Sequence, residues 1–150
     1  MALQNLLLLR HGEAYHSSPD ELRELNDQGH KEVQKTLSKA ADHVPELDKI
    51  FHSGLVRAMQ TAEIAAEHLA THLQPQFLEG ISPWGDPAVF CNRLATEEAE
   101  NILVVTHNPF VEDLVEYLNG QSLRIKTGSL VCLSVDFLER GCCTFEWVQA

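Results

Sequence analysis

LLLLRHGEAYH, residues 6–16, is an apolar run that leads directly into two basic residues, a glycine and a glutamate. An apolar run without polar alternation is typical of a strand that is covered on both faces. We therefore predict a buried strand over Asn5–Arg10. Because ligands of open α/β sheets bind at the carboxyl ends of the strands, Arg10 and His11 are the first candidates for a functional site.

Strand-like and helix-like segments alternate along the rest of the chain. Further strands are predicted at Lys49–His52, Gln76–Leu78, Asn101–Thr106, Leu130–Val135 and Cys143–Val148, and helices at about 29–43, 56–72, 88–96 and 109–119. This alternation predicts an α/β fold, a three-layer α/β/α sandwich around a mostly parallel central sheet of about six strands. No repeat or linker interrupts the pattern, so we expect residues 1–150 to form a single domain.

Composition and charge narrow the class of protein. The 150 residues are 44% hydrophobic and 22% charged, with a net charge of −11. A nucleic-acid surface needs a basic excess, so no nucleic-acid partner is expected, and any phosphate site must use a few local basic residues. No apolar stretch is long enough to span a bilayer, and the N-terminal apolar run lacks a basic leader and a small-residue cleavage site, so we do not expect it to be a secretory signal. We therefore expect a cytoplasmic protein without a membrane partner.

Cysteines and histidines could also hold a metal ion, but their spacing argues against it. The four cysteines form no C-x-x-C pair, and we expect free thiols that are buried or half-buried. His68 and His72 lie four residues apart, but the segment HLATH lacks the glutamate of the H-E-x-x-H zinc motif. No metal site and no cofactor are predicted.

Basic and imidazole side chains follow three of the predicted strands. Arg10 and His11 follow the first strand, Arg57 lies in the first turn of the helix after the second, and His107 follows the strand that ends at Thr106. The carboxyl ends of parallel strands meet at one edge of a sheet, so these four side chains are expected to converge beside helix N-termini. Free N–H groups there favour anions, and arginine can hold two phosphate oxygens at once. This arrangement predicts a phosphate pocket.

Three motifs carry a resemblance to a known family. L-L-R-H-G-E (8–13), S-G-L-x-R-A-x-Q-T (53–61) and V-T-H-N-P (105–109) resemble the histidine phosphatase superfamily, which includes the cofactor-dependent phosphoglycerate mutases. The chain length, L-N-D-Q-G (25–29), P-W-G-D (83–86) and V-V-T-H-N-P-F-V (104–111) are most similar to the SixA-type phosphohistidine phosphatases. The resemblance implies a phosphoglycerate mutase-like fold.

The resemblance also implies catalytic roles. His11 would be the nucleophile, Arg10, Arg57 and His107 would bind the phosphoryl group, and water would then hydrolyse the phosphohistidine formed on His11. The properties of the side chains are consistent with this role of His11, because a neutral imidazole is a competent nucleophile and nearby arginines oppose its protonation. Many relatives use a glutamate after the third strand as general acid. Glu79 lies in that region, but the closest alignment puts Gly80 there, so this assignment stays open.

Whether the site has a general acid affects which class of phosphorylated substrate it can hydrolyse. An imidazole leaving group, with a pKa of about 6.5, departs more easily than an alcohol and depends less on proton assistance. The favoured function is hydrolysis of phosphohistidine on a protein partner, either a signalling phosphorelay protein or a phosphotransfer protein. The alternatives are a broad-specificity small-molecule phosphomonoesterase of the same superfamily and, in another class, a non-catalytic phosphoprotein-binding module. Mutase activity is disfavoured, because the mutases are longer and enclose their substrate.

Overall fold

A six-stranded sheet forms the centre of the computed structural model, which describes residues 2–150. Its strands, in chain order, are β1 (Asn5–Arg10), β2 (Lys49–His52), β3 (Gln76–Phe77), β4 (Asn101–Thr106), β5 (Leu130–Val135) and β6 (Cys143–Gln149). Across the sheet the order is β3-β2-β4-β1-β5-β6. The pairings among β3, β2, β4 and β1 are parallel, and β5 is antiparallel to both of its neighbours. The predicted mostly parallel sheet is confirmed.

Four helices cover the two faces of the sheet. They are α1 (Asp27–Ala40), α2 (Val56–Leu69), α3 (Pro87–Leu94) and α4 (Phe110–Asn119). Buried residues of α1 and α2 pack in one hydrophobic cluster, and those of α3 and α4 pack in the other. The predicted three-layer α/β/α sandwich is therefore confirmed.

The leucine run of β1 contributes to both clusters. Leu6 and Leu8 pack in the cluster of α3 and α4, whereas Leu7 and Leu9 pack in that of α1 and α2. All four leucines are fully buried. Successive side chains of a strand point to opposite faces, so a strand covered on both faces needs an apolar residue at every position. This burial holds the end of β1, and with it Arg10 and His11, at a fixed place.

Helix ends differ from the predicted ones by a few residues. Helix α1 ends at Ala40, and a short 3-10 turn occupies Ala41–His43. Helix α2 ends at Leu69 because Ala70 leaves helical geometry at φ −160°. The helical spacing of Met59, Ala62, Ala66 and Leu69 predicts that they share one face of α2, but Met59 is 39% exposed whereas Ala62 and Ala66 are buried. Most of the buried residues of α2 are small, namely four alanines and Thr61, and the others are Arg57 and Ile64.

Two glycines let the loop after β1 approach the first turn of α1. A Cβ on Gly12 would lie 2.6 Å from the Gly29 carbonyl oxygen, and a Cβ on Gly29 would overlap the Glu13 backbone. The nearby side chain of Asn26 accepts from the Gly29 N–H at 2.8 Å and caps α1. Glycine at position 12 is therefore explained by its close packing against Gly29.

Gly29→Ala is expected to lower the free energy of unfolding by about 3 kcal/mol, because the new methyl group meets backbone that cannot rotate away. Gln28→Ala is the matched control, since Gln28 is an exposed neighbour on the same turn. Urea unfolding of both variants measures the difference. Equal stabilities for the two would contradict this packing contact.

Three further findings concern the cysteines, the helices and the residue types that bind metals. Cys91, Cys132 and Cys143 are buried, Cys142 is half-buried, and all four are free thiols, as predicted. Across residues 2–150, no helix has both the length and the apolar character to cross a membrane. In the same part of the chain, no three His, Cys, Asp or Glu side chains are grouped so that they could hold a metal ion.

Candidate active site

A cavity of about 290 Å³ opens at the carboxyl ends of β1 and β4, beside the first turn of α2. Arg10, His11, Arg57 and His107 all line it, so the structure brings the four predicted side chains together. We call this the site cavity. Its remaining lining residues are Glu13, Ala14, His16, Arg23, Pro83, Asn108 and Thr127.

His11 is held by backbone groups on both sides. Its N–H donates to the carbonyl of Thr106 at 3.1 Å, and its ring Nδ1 lies 2.7 Å from the carbonyl oxygen of Gly12. A carbonyl oxygen can only accept, so Nδ1 carries the proton of the neutral ring and Nε2 carries the lone pair. The carbonyl of Gly12 therefore sets the tautomer and the orientation of the His11 ring.

His11 and His107 are neighbours, and both are neutral at pH 7. Their ring centroids lie 4.9 Å apart. Burial lowers the pKa of His11 to about 4, with Arg57 and Arg10 contributing by charge repulsion. Burial, followed by His11 and the arginines, lowers the pKa of His107 to about 2. Both rings therefore hold unprotonated nitrogens ready in the resting protein.

These depressed pKa values predict a pH-dependent stability. At pH 5 the unfolded chain protonates both histidines, whose ordinary pKa is about 6.5, while the folded chain does not. Stability should therefore fall as pH drops below 6.5, by about 2 kcal/mol per histidine at pH 5. Urea unfolding at pH 7 and pH 5 measures this, with His107→Asn as the test variant and exposed His16→Asn as control. An unchanged pH dependence in His107→Asn would contradict the assignment.

The ring of His107 contacts a serine from the neighbouring strand end. Nε2 of His107 lies 2.6 Å from Ser53 Oγ. Nδ1 is buried and has no hydrogen-bond partner within residues 2–150. A hydroxyl can both donate and accept, so Ser53 fixes the ring in either tautomer.

Arg57 reaches across the cavity to a loop that the sequence did not connect with it. Its side chain is 5% exposed, Nη1 donates to the carbonyl of Asp20 at 2.9 Å, and Nη2 lies 3.3 Å from the Asp20 carboxylate. A hydrogen bond from Arg23, joined by the charge of Arg57, lowers the pKa of Asp20. Nε of Arg57 is buried and unpaired within the described chain. Asp20 therefore positions the guanidinium of Arg57, and the Nε–H of Arg57 stays available as a donor.

Arg10 is anchored by the loop between α4 and β5. Its Nη1 donates to the carbonyl of Ile125 at 2.7 Å, and its Nε is buried without a partner in residues 2–150. Burial lowers the pKa of Arg10, and the charges of Glu112 and Glu32 oppose that effect. The anchoring loop also places Thr127 in the wall of the site cavity.

Glu79 lies away from the four clustered side chains. It is 69% exposed, its carboxylate is 3.7 Å from Nη1 of the exposed Arg93, and it is not among the residues that line the site cavity. Gly80, the residue that the alignment with SixA-type proteins places at the position of the general acid, has φ +89°. A Cβ added to it would meet no atom within 4 Å. The same loop reaches the cavity through Pro83 instead.

Comparison with known proteins assigns the family. The model of the histidine phosphatase superfamily (branch 1) matches residues 6–84, more than half of the chain. The chain belongs to the histidine phosphatase superfamily. The resemblance stated from the R-H-G and S-G-L-x-R motifs is thus confirmed.

Individual histidine phosphatases match most of the chain. Phosphohistidine phosphatase SixA of Escherichia coli (strain K12) is 28% identical over 147 residues, 95% of this chain and 91% of that protein. A SixA homolog of Haemophilus influenzae is 29% identical over 128 residues, 78% of each chain. The structure of the protein histidine phosphatase SixA complexed with tungstate superposes with a TM-score of 0.86 and 26% identity, covering 97% of this chain and 96% of that one. These similarities support a hydrolase.

Several positioning residues of this histidine phosphatase have no assigned role at the level of sequence. Ser53 and Thr61 lie inside the quoted S-G-L-x-R-A-x-Q-T motif, and Thr61 Oγ1 accepts from the Gly12 N–H at 3.3 Å. The motif itself was therefore the available signal for both. Asp20 and Thr127 carried no signal, because their contacts depend on loops distant in sequence from the residues they touch.

Proposed function

We propose that this chain hydrolyses phosphohistidine on a protein partner through a covalent phosphohistidine intermediate on His11. The observation that carries the proposal is that two arginines and two neutral histidines line one cavity from which the glutamate of the nearby loop is missing. The names of the two SixA relatives point to the same reaction.

His11 begins the reaction with its Nε2 lone pair. Nε2 attacks phosphorus, a bond forms between them, and the bond from phosphorus to the substrate nitrogen breaks with its electron pair going to that nitrogen. Nδ1–H keeps its hydrogen bond to Gly12, which stabilises the positive charge that develops on the ring. Water then attacks the phosphorus on His11, releasing inorganic phosphate and the neutral imidazole.

Arg10, Arg57 and His107 bind the phosphoryl oxygens. Each arginine has a buried Nε–H that has no partner within residues 2–150, and the ring of His107 lines the same cavity. Buried polar groups without partners are costly, so an anion that accepts from them is bound strongly. The tungstate of the SixA complex is an oxyanion of this kind.

The leaving group decides between protein phosphohistidine and phosphate esters. A phosphohistidine protonated on its other ring nitrogen departs as neutral imidazole and takes up no proton at the broken bond. An alkoxide from phosphoserine must be protonated as it leaves, and a positioned acid contributes about 10²- to 10⁴-fold to such a step. Glu79 is exposed and paired with Arg93 rather than directed to the site cavity.

A comparison of two peptides tests the proposal. With peptides of one sequence carrying phosphohistidine or phosphoserine, we expect kcat/KM to be at least ~10²-fold larger for phosphohistidine, because Glu79 is not placed to protonate an alcohol leaving group. Glu79→Gln should leave both rates within about twofold. Equal rates on the two peptides would favour the small-molecule phosphomonoesterase, and a large loss in Glu79→Gln would assign Glu79 as the acid. Tight binding of the phosphohistidine peptide without turnover would favour the binding module.

A further inference from the structure

A second and larger cavity adjoins the site cavity. It has a volume of about 610 Å³ and lies between α1 and the loop that precedes β5. Lys31 and Lys35 line it from one side and Lys126 from the other. Arg10 and Thr127 line both cavities, so the two are contiguous. We call it the lysine cavity.

The lysine cavity collects positive charge in an acidic protein. It holds three of the five lysines of a chain whose net charge is −11. Together the two cavities are lined by six of the eleven cationic residues but by only two of the 22 acidic ones. Those six are Arg10, Arg23, Lys31, Lys35, Arg57 and Lys126. A surface that concentrates one sign of charge attracts ligands of the opposite sign.

The three lysines are available to a partner. All three are exposed, and none forms an ion pair with any of residues 2–150. The one acidic side chain of the cavity, Glu32, accepts from the Glu13 N–H at 3.0 Å and from the Thr127 hydroxyl at 3.2 Å, and within residues 2–150 it forms no ion pair with a lysine. Lys31 and Lys35 are one helical turn apart, so their ammonium groups form a short row on α1.

We propose that the lysine cavity docks an acidic segment of the phosphorylated protein while its phosphohistidine enters the site cavity. This inference rests on the proposed function and specifies the chemistry of the partner. Exposed lysines on two opposing walls suit a row of carboxylates on a protein surface, whereas a small polyanion is usually enclosed by buried donors. Docked carboxylates would also increase the rate of encounter.

Two synthetic phosphohistidine peptides of equal length test the proposal. One carries four glutamates beside the phosphohistidine and the other four glutamines. At low salt we expect the wild type to prefer the glutamate peptide by about tenfold in kcat/KM, and 0.5 M salt should remove the preference. Lys31→Glu/Lys35→Glu should lose the preference while hydrolysing free phosphohistidine at the wild-type rate.

Lys39→Glu is the matched control. Lys39 is exposed on the same helix but does not line the lysine cavity, so this variant should keep the preference that Lys35→Glu reduces. Equal rates of the wild type on the two peptides, or a preference that survives in Lys31→Glu/Lys35→Glu, would overturn the docking proposal. Inorganic triphosphate tests for a small-anion site. If it binds the wild type but not Lys31→Glu/Lys35→Glu, and the wild type hydrolyses the two peptides at equal rates, the cavity is a small-anion site and the proposal is wrong.

Failure of the proposed function can be distinguished from failure of the docking proposal. It would appear as an absence of wild-type turnover on both peptides and on free phosphohistidine. Binding of the unphosphorylated glutamate peptide, followed by fluorescence anisotropy, still tests the lysine cavity in that case. Binding that is weakened in Lys35→Glu and unchanged in Lys39→Glu supports docking, and equal binding by all three proteins contradicts it.

Discussion

His11→Ala is expected to reduce phosphohistidine phosphatase activity by at least ~10⁴-fold, because no other side chain can replace the nucleophile. His107, 4.9 Å away between ring centroids, is the nearest imidazole. Its Nε2 lies against Ser53 Oγ and its Nδ1 is buried, so it is poorly placed to attack in place of His11. The measurement is initial-rate hydrolysis of a phosphohistidine peptide by wild type and variant.

His16→Ala is the matched control for the loss of an imidazole. His16 lines the mouth of the same cavity but is exposed, so its removal should change kcat by no more than a few-fold. His11→Ala should still bind tungstate, since Arg10, Arg57 and His107 remain in place. Activity above about 1% of the wild type in His11→Ala would contradict the nucleophile assignment.

Arg57→Ala is expected to lower kcat by about 10³-fold, a loss typical for removal of a charged group that stabilises a phosphoryl transition state. Arg57 is 5% exposed on its side chain, so its guanidinium acts in surroundings from which water is largely excluded. Arg57→Lys should recover only part of the loss, because an ammonium lacks the two-oxygen fork of a guanidinium.

Asp20→Ala separates a direct role of Arg57 from the role of its support. This variant removes the carboxylate 3.3 Å from Nη2, while the backbone carbonyl of residue 20 still accepts from Nη1. We expect a loss of a few-fold, far smaller than that of Arg57→Ala. Urea unfolding of each variant excludes general loss of structure, and a folded Arg57→Ala variant with wild-type kcat would contradict the proposed role.

The strands of this fold were the most predictable part, for a physical reason. Strands β1, β2, β4 and β5 have the predicted bounds, because each is an apolar run bounded by polar or turn residues. Met59 shows where the pattern fails, because the alanines of α2 are spread over several sides of the helix and so do not indicate which side faces the sheet. Tertiary packing decides which side of α2 faces the sheet, and the side that is buried carries mostly small side chains.

The candidate site was predictable in its centre and not at its margins. Arg10, His11, Arg57 and His107 follow strand ends, and sheet topology alone brings such positions together. Asp20 and the lysine cavity depend on how loops fold back over that edge, which no local pattern records.

The covalent intermediate on His11 is the central claim, and rapid-quench labelling tests it most directly. Wild-type enzyme is mixed with a ³²P-labelled phosphohistidine peptide, quenched in base within milliseconds and digested, and the labelled fragment is identified. The account predicts an early burst of acid-labile, base-stable label on the fragment that contains His11 and none in His11→Ala. Label on the fragment that contains His107, or turnover in which the enzyme carries no label at any time, would contradict it.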